Sequence, residues 1–282
     1  MKFFNRPATA SVLYDTPGPN ARARYRLFGA LSVLGIAGLL WYVISALADN
    51  GQFDPDLWDA FQYNYVQQMI LDGLLATLKA FGLAAVFSLT LGSLLAAGQL
   101  SDHRPVRWVC TSVVQFFRAM PLLILIVALY YAFFAKNPMW ALVLGLTLYN
   151  GAVQAEIIRS GVNAVPRGQG EAAYALGMRK TQVMSGILVP QAVRSMLPSM
   201  IGQLVVTLKD TSLGFVITYN ELLFMGKKIA SQPLNAAGFP YIPVVLVIAP
   251  IYIILCLLLT ALARWIEARG RRGANRRTSA AA

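Results

Sequence analysis

What most constrains this chain is the recurrence of apolar stretches about twenty residues long, the length a helix needs to cross the hydrocarbon core of a bilayer. They run from Leu27 to Leu47, from about Leu74 to Gly98, from Val109 to Phe134, from Met139 to Ile158, from about Met200 to Tyr219 and from Tyr241 to Arg264. In lipid no water satisfies a backbone N–H or C=O, so a stretch of that kind folds as a helix. Hydrophobic residues make up 57% of the chain and charged residues 13%, which excludes an ordinary soluble domain. The expectation is an all-α integral membrane protein with six spans. Met1-Lys2 is not followed by an apolar h-region, so no cleavable signal peptide is expected.

The formal net charge of +12 would suggest a nucleic-acid partner in a soluble protein. Here the cations gather in a few loops and both tails, as orientation signals do, and no nucleic acid is expected. Residues 1–26 form a basic tail, with Lys2, Arg6, Arg22, Arg24 and Arg26 against Asp15; residues 266–282 form another. Both tails read as cytoplasmic. After the first span, at 27–47, residues 48–73 hold Asp49, Asp54, Asp56 and Asp59 and read as an outer loop. Residues 74–265 then form a five-span core. Gly29, Gly35 and Gly38 in the first span, and Gly82, Gly92 and Gly98 in the second, are expected to allow close helix packing.

Within the core, Arg104 and Arg107 return the chain to the cytoplasm. Arg118-Ala119-Met120-Pro121 then interrupts the third stretch, because proline removes a backbone donor and breaks a helix. The part before Arg118 reads as interfacial or weakly inserted, with the third span starting near Pro121. Lys136-Asn137-Pro138 is expected as a tight outer turn. Residues 221–240 read as an outer re-entrant or amphipathic helix, where Lys227 and Lys228 break the charge pattern.

A polar segment from about 160 to 198 separates the fourth and fifth spans. It carries Arg159, Arg167, Arg179, Lys180 and Arg194 against Glu171 and belongs inside. Pro166 to Gly170 reads as a turn and Glu171 to Leu176 as two turns of helix ended by Gly177. Thr181 is expected to cap a second helix with Val183, Ile187 and Leu188 on one apolar side. The small Ala172 and Ala173 would let another surface come close, and Tyr174 and Met178 would supply contact area. On pattern alone this is either a projecting knob or a helix hairpin packed on its own protein.

The residues exclude several chemistries. No Gly-x-x-x-x-Gly-Lys-Ser/Thr stretch is present to cradle phosphates, and no Ser/His/Asp set exists in a chain with one histidine. Cys110 and Cys256 lack metal-ligand spacing, so no metal site is expected. Ionisable groups at membrane depth are costly and face a cavity or a partner helix. Lys209 and Asp210, adjacent in the fifth span, point about 100° apart on a helix, and either line a pathway or pair structurally. Thr211 and Ser212 follow them. Glu156 and Arg159, three apart, either pair on one helix face or serve the pathway. Tyr149, Asn150 and Gln154 either line the path or join helices. Arg118, with Pro121, reads as a gate or brace.

Glu171-Ala172-Ala173, Gly177, Ile187 and Pro190 match the spacing of the EAA signature of ATP-binding-cassette importer permeases. Around them stand Ala155-Glu156-Ile157-Ile158-Arg159, Val165-Pro166-Arg167-Gly168-Gln169, Pro190-Gln191-Ala192 and Lys209-Asp210-Thr211-Ser212-Leu213. With Phe117-Arg118 and Pro121, these resemble the polar amino-acid subfamily, the histidine, glutamine and glutamate permeases, over roughly residues 65 to 265. Ser160 stands where a glycine is common. Val12-Leu13-Tyr14-Asp15-Thr16-Pro17-Gly18-Pro19 resembles the N-terminal segment of actinobacterial glutamate permeases of the GluD type.

The resemblance implies the type I importer transmembrane fold and a coupling helix at Glu171 to Met178 that docks on an ATPase subunit. It implies a bacterial plasma-membrane location and uptake of a polar amino acid, with glutamate favoured. It also implies two ATPase partners that bind ATP and Mg, a second permease that is a related chain, and an extracytoplasmic solute-binding protein. No cofactor is expected in this chain, which would be a transporter subunit and not itself an enzyme. The same machine serving glutamine, aspartate or arginine, or an ion-coupled secondary transporter using Glu156 and Asp210, are the alternatives.

Overall fold

The computed structural model describes residues 18–233 and 238–279, with 266–279 as backbone alone. Its regular elements are helices, and the chain divides into two units, residues 1–54 and 55–282. The first unit carries α1, Pro19–Asp49, which starts with proline in its first turn, where the missing N–H costs nothing. At its far end Asn50 donates its side-chain amide to the Ala46 carbonyl at 2.7 Å. The stretch Leu27–Leu47 lies within α1. The N-terminal motif from Val12 lies outside the described residues up to Pro17.

The second unit opens with a 3-10 turn, Pro55–Gln62, followed by α2, Asn64–Gln99. The helix therefore starts ten residues before the expected Leu74, and the stretch expected as a loop over 48–73 is helical from Asn64 on. The reason is visible in what α2 buries. Val66, Met69, Gly73, Thr77, Ala80, Ala84, Ser88, Gly92 and Ala96 recur every three or four residues along one face. Gln67, Gln68 and Asp72 occupy the other faces of the first turns and dilute the apolar signal. At 36 residues α2 is about 54 Å long, well beyond the bilayer core.

Helix α3, Arg104–Ala119, meets α4, Leu122–Leu129, at a 98° bend. A π turn, Tyr130–Phe134, extends α4. The expected break at Arg118 to Pro121 is thus present, and Pro121 occupies the N-cap of α4. Helix α5, Pro138–Asn163, packs along α2 and α4 through small residues. A Cβ on Gly92 would stand 2.7 Å from Gln154 Cβ, and one on Gly145 would stand 2.6 Å from the Ile126 side chain. Gly98 is equally tight against Cys110 of α3. Gly82, by contrast, meets nothing within 4 Å and takes no part in this packing.

The polar segment is more helical than its composition suggests. It folds into α6, Arg167–Ala175, then α7, Lys180–Val183, a π turn at Met184–Leu188, and α8, Val189–Asp210. The turn expected at Pro166–Gly170 is instead the first turn of α6, with Pro166 at its N-cap. Residues 180–198, expected as part of a loop, are continuous with the fifth span, so a helical run extends from Lys180 to Ile217. The widened π turn precedes Pro190 and accommodates the hydrogen bond its missing N–H would disrupt.

After a 3-10 turn at Thr211–Ile217 comes α9, Leu222–Ala230, the short helix anticipated within 221–240. Its Leu222, Met225 and Ile229 pack with Val66 and Met69 of α2 and with Val244 and Ile248 of α10, Tyr241–Ser279. The backbone of α10 continues through the expected basic tail as far as Ser279. Among the described residues five helices are long and apolar enough to cross a membrane, and the bent α3–α4 pair makes a sixth candidate.

Candidate coupling face and translocation path

At the end of α6 Gly177 adopts φ +78°, a left-handed conformation that side chains disfavour. The N–H of Gly177 donates to the Tyr174 carbonyl at 2.9 Å and that of Met178 to the Ala173 carbonyl at 3.2 Å. This pair of bonds closes the helix and turns the chain back. Ala173 faces inward and is buried, while Glu171, Ala172 and Tyr174 remain outside. Ala173 therefore packs the hairpin itself and offers no surface to a partner. Leu176, not singled out from sequence, is the most exposed large apolar side chain here, at 82%.

The second helix of the hairpin starts at Lys180 with Arg179, not the expected Thr181, at its N-cap, two residues earlier. The side-chain oxygen of Gln182 accepts the Arg179 N–H at 2.8 Å, which supplies the cap from within the helix. Lys180 then leaves the hairpin. Its Nζ donates to the Leu100 carbonyl at 2.9 Å and pairs with Asp102, so α7 is tied to the corner between α2 and α3. This hydrogen bond, with the nearby positive charges, holds the Asp102 carboxyl below its usual value. Arg107 donates to the Ser101 carbonyl at 3.1 Å and clamps the same corner from the other side.

The candidate path residues do not converge on one place in this chain. Asn150 and Gln154 are fully buried between α5 and α8. Gln203 donates to the Asn150 side-chain oxygen at 2.7 Å, and Gln154 donates to the Met200 carbonyl at 3.1 Å. These two join helices. Tyr149 is half-buried on α5. Lys209 is exposed and, with Ser212, borders an apolar groove of about 610 Å³ between α9, α10 and the end of α8. Asp210 is half-buried, and among the described residues no salt bridge joins it to Lys209. The Thr211 and Ser212 hydroxyls turn back to the Leu208 and Lys209 carbonyls.

A second cleft, of about 450 Å³, lies between α3, α5 and α8. Glu156 stands in it between two cations. Arg159 donates from Nε to Glu156 at 3.1 Å and again from its second nitrogen, while Arg118 of α3 approaches the same carboxylate at 3.8 Å. The i, i+3 pair, one of the two readings, is present, and Arg118 reaches from α3 to the same carboxylate of α5. Ser160, Ser195 and Ser199 line the cleft alongside.

The most heavily bonded carboxylate was not anticipated. Glu221 is completely buried. It accepts the Leu223 and Phe224 N–H groups at 2.8 and 2.7 Å, capping α9, and the Tyr252 hydroxyl of α10 at 2.7 Å. Beside it the Leu222 N–H donates to Thr77 of α2 at 3.1 Å. An acidic N-cap before Leu222-Leu223-Phe224 was the available signal. Lys227, which breaks the charge pattern, lies 4.7 Å over the Phe215 ring.

Apolar helices long enough to span a membrane, with a polar helix hairpin between two of them, define an integral membrane bundle. The chain belongs to the family of inner membrane components of binding-protein-dependent transport systems, whose model matches residues 88–272. It is 41% identical to the glutamate transport system permease protein GluD of Corynebacterium glutamicum, over 82% of this chain and 86% of that one. It is 32% identical to the arginine transport system permease protein ArtQ of Bacillus subtilis, over 70% and 90%. A crystal structure of an amino acid ABC transporter with histidines superposes with a TM-score of 0.66 at 29% identity, covering 72% of this chain and 94% of that one. The fold is that of a type I importer permease, and the chain is a multi-pass membrane permease subunit.

Proposed function

We propose that this chain carries a polar amino acid, L-glutamate before others, across a bacterial plasma membrane by alternating access, driven by ATP hydrolysed on partner subunits. The observation that carries the coupling step is the α6–α7 hairpin, which presents Glu171, Ala172, Tyr174 and Leu176 outward from a Gly177 turn. Two ATPase subunits bind ATP and Mg and receive this face in a groove. Their closure moves the hairpin, and the continuous helical run from α7 through α8 carries that motion into the bundle as rigid-body rocking. A second, related permease and an extracytoplasmic solute-binding protein complete the assembly. Both termini and the hairpin lie in the cytoplasm, consistent with their excess of cations.

Support for glutamate comes from the 41% identity to GluD over most of both chains. The permease at 32% identity is named for arginine, so the machine and its cargo are separate readings. Lys209, at the rim of the α9–α10 groove, and the Glu156 cleft are the two candidate points of contact with a charged substrate. The test is to purify the chain in mild detergent with whatever accompanies it, then measure ATPase activity with the binding protein and each amino acid. Co-purification of an ATPase and a second permease with stimulation by glutamate above glutamine or arginine is expected. Stimulation by another amino acid would remove the substrate, and transport that follows an ion gradient without an ATPase would remove the importer.

A further inference from the structure

Helix α3 divides lengthwise into three faces. Val114, fully buried, and the partly buried Phe117 pack toward Ala96 of α2 and Ala152 and Ala155 of α5. A second face carries Val109 and Phe116, exposed at 52% and 57%. The third is polar, with Arg104, Arg107, Thr111 and Gln115 at helical spacing. Trp108, 72% exposed, projects near the border of the polar and apolar faces.

A helix crossing the bilayer would carry Thr111 and Gln115 through hydrocarbon, and a helix in water would leave Val109 and Phe116 bare. Lying along the headgroup boundary suits all three faces at once. The 98° bend into the wholly apolar α4 sets that attitude, since an α4 near the membrane normal leaves α3 close to the plane. Indole rings settle at this level. The free charge is one-sided: Arg104 and Arg107 stand at the start of α3, Arg118 at its end faces Glu156, and the neighbouring acid, Asp102, is already paired with Lys180.

We propose that α3 is an in-plane anchor that holds anionic phospholipids of its leaflet, with Arg104 and Arg107 at their phosphates and Val109 and Phe116 among their acyl chains. The cytoplasmic assignment of that leaflet rests on the proposed function; the in-plane seat and the headgroup preference do not. Because Arg107 also grips Ser101, the lipid contact sits one residue from the corner to which Lys180 ties the coupling hairpin.

Two readouts on the full chain, with Cys110 and Cys256 replaced by alanine, test this in vesicles. Nitroxides placed singly at 109, 111, 115 and 116 should report oxygen access at 109 and 116 and aqueous-relaxant access at 111 and 115. A depth that increases steadily from 109 to 116 would mean a crossing helix. Exclusion of both reagents would mean that another protein covers the face. Either result overturns the proposal. A donor dye at Trp108→Cys should transfer energy to acceptor-labelled phosphatidylglycerol in preference to acceptor-labelled phosphatidylcholine. That preference should fall about fivefold in Arg104→Gln, the weight of one basic residue at an anionic surface. Equal transfer to both lipids before the substitution would overturn the headgroup assignment. Neither readout needs ATP or substrate, so failure here and failure of the importer reading are separable.

Discussion

Lys180 donates from Nζ to the backbone carbonyl of Leu100 at 2.9 Å, joining residues eighty positions apart in sequence. The acceptor is the C-cap of α2 and the donor is the first residue of α7, so one side chain links the 36-residue α2 to the α6–α7 hairpin. Lys180→Met should loosen that link while sparing the hairpin's own caps. The expected result is weaker ATP-driven uptake with ATPase activity retained, measured in proteoliposomes. Uptake and hydrolysis falling together would instead indicate failed assembly.

The paired Asp102 sets a pH dependence. Its folded pKa lies below the ordinary carboxylate value of about 4. The ion pair's contribution is therefore present above that value and is lost as pH falls through the lower folded pKa. Because Asp102 is solvent-exposed, the contribution is small. Hydrogen exchange at Leu100 to Asp102, corrected for intrinsic rate, should rise as pH falls below the ordinary carboxylate value of about 4. Asp102→Asn should remove the change at lower pH.

Gly177 should tolerate asparagine better than alanine or valine. Its positive φ costs a side-chain-bearing residue about 1–2 kcal/mol, and asparagine enters this region more readily. Gly177→Val should fray the end of α6, displace Tyr174 and Leu176, and lower uptake at normal membrane abundance, with Gly177→Asn intermediate. Normal uptake by the valine variant would show that the turn does not position the coupling face.

Asn150 and Gln203 should behave as a coupled pair. Asn150→Ala removes the acceptor of the 2.7 Å bond and leaves the Gln203 amide facing a buried gap. Interhelical bonds of this kind contribute about 0.6–1.7 kcal/mol in a membrane protein. A double-mutant cycle with Gln203→Ala, read by denaturation in detergent, should return a coupling in that range. Substrate preference should stay unchanged, since the pair joins α5 to α8.

The two arginines on Glu156 should not be equivalent. Arg159 donates twice to the carboxylate, whereas Arg118 stands 3.8 Å away. Half-exposed pairs of the longer kind are worth about 0–1 kcal/mol, so Arg118→Ala should be mild. Glu156→Ala should cost more than either arginine substitution, because it leaves both cations in the cleft without a counter-charge. Thermal stability of the detergent-solubilised chain checks the order.

Much of this architecture was legible in the sequence because lipid leaves so few options. Apolar stretches such as Met139 to Ile158 must be helical, and Pro121 must interrupt one. Gly177 announced a helix end through the conformation only glycine adopts easily. Where polar residues shared a helix with buried ones, the reading failed. Gln67, Gln68 and Asp72 concealed the first turns of α2, and Pro190 concealed that the second helix expected from Thr181 runs on through the π turn into the fifth span.

The sequence by itself determined the membrane setting, the helical class, the break before α4 and the polar hairpin, because hydrophobic length and backbone chemistry are local properties. Only the tertiary structure decided what each polar side chain does. Asn150 and Gln154 could have lined a path, yet the approach of α8 made them helix joints. Ala173 could have met a partner, yet the hairpin folded over it. Glu221 could have been a surface acid, yet α9, α2 and α10 closed around it. Those outcomes depend on which surfaces meet between segments apart in sequence, and a side chain's own neighbours in sequence do not specify that meeting.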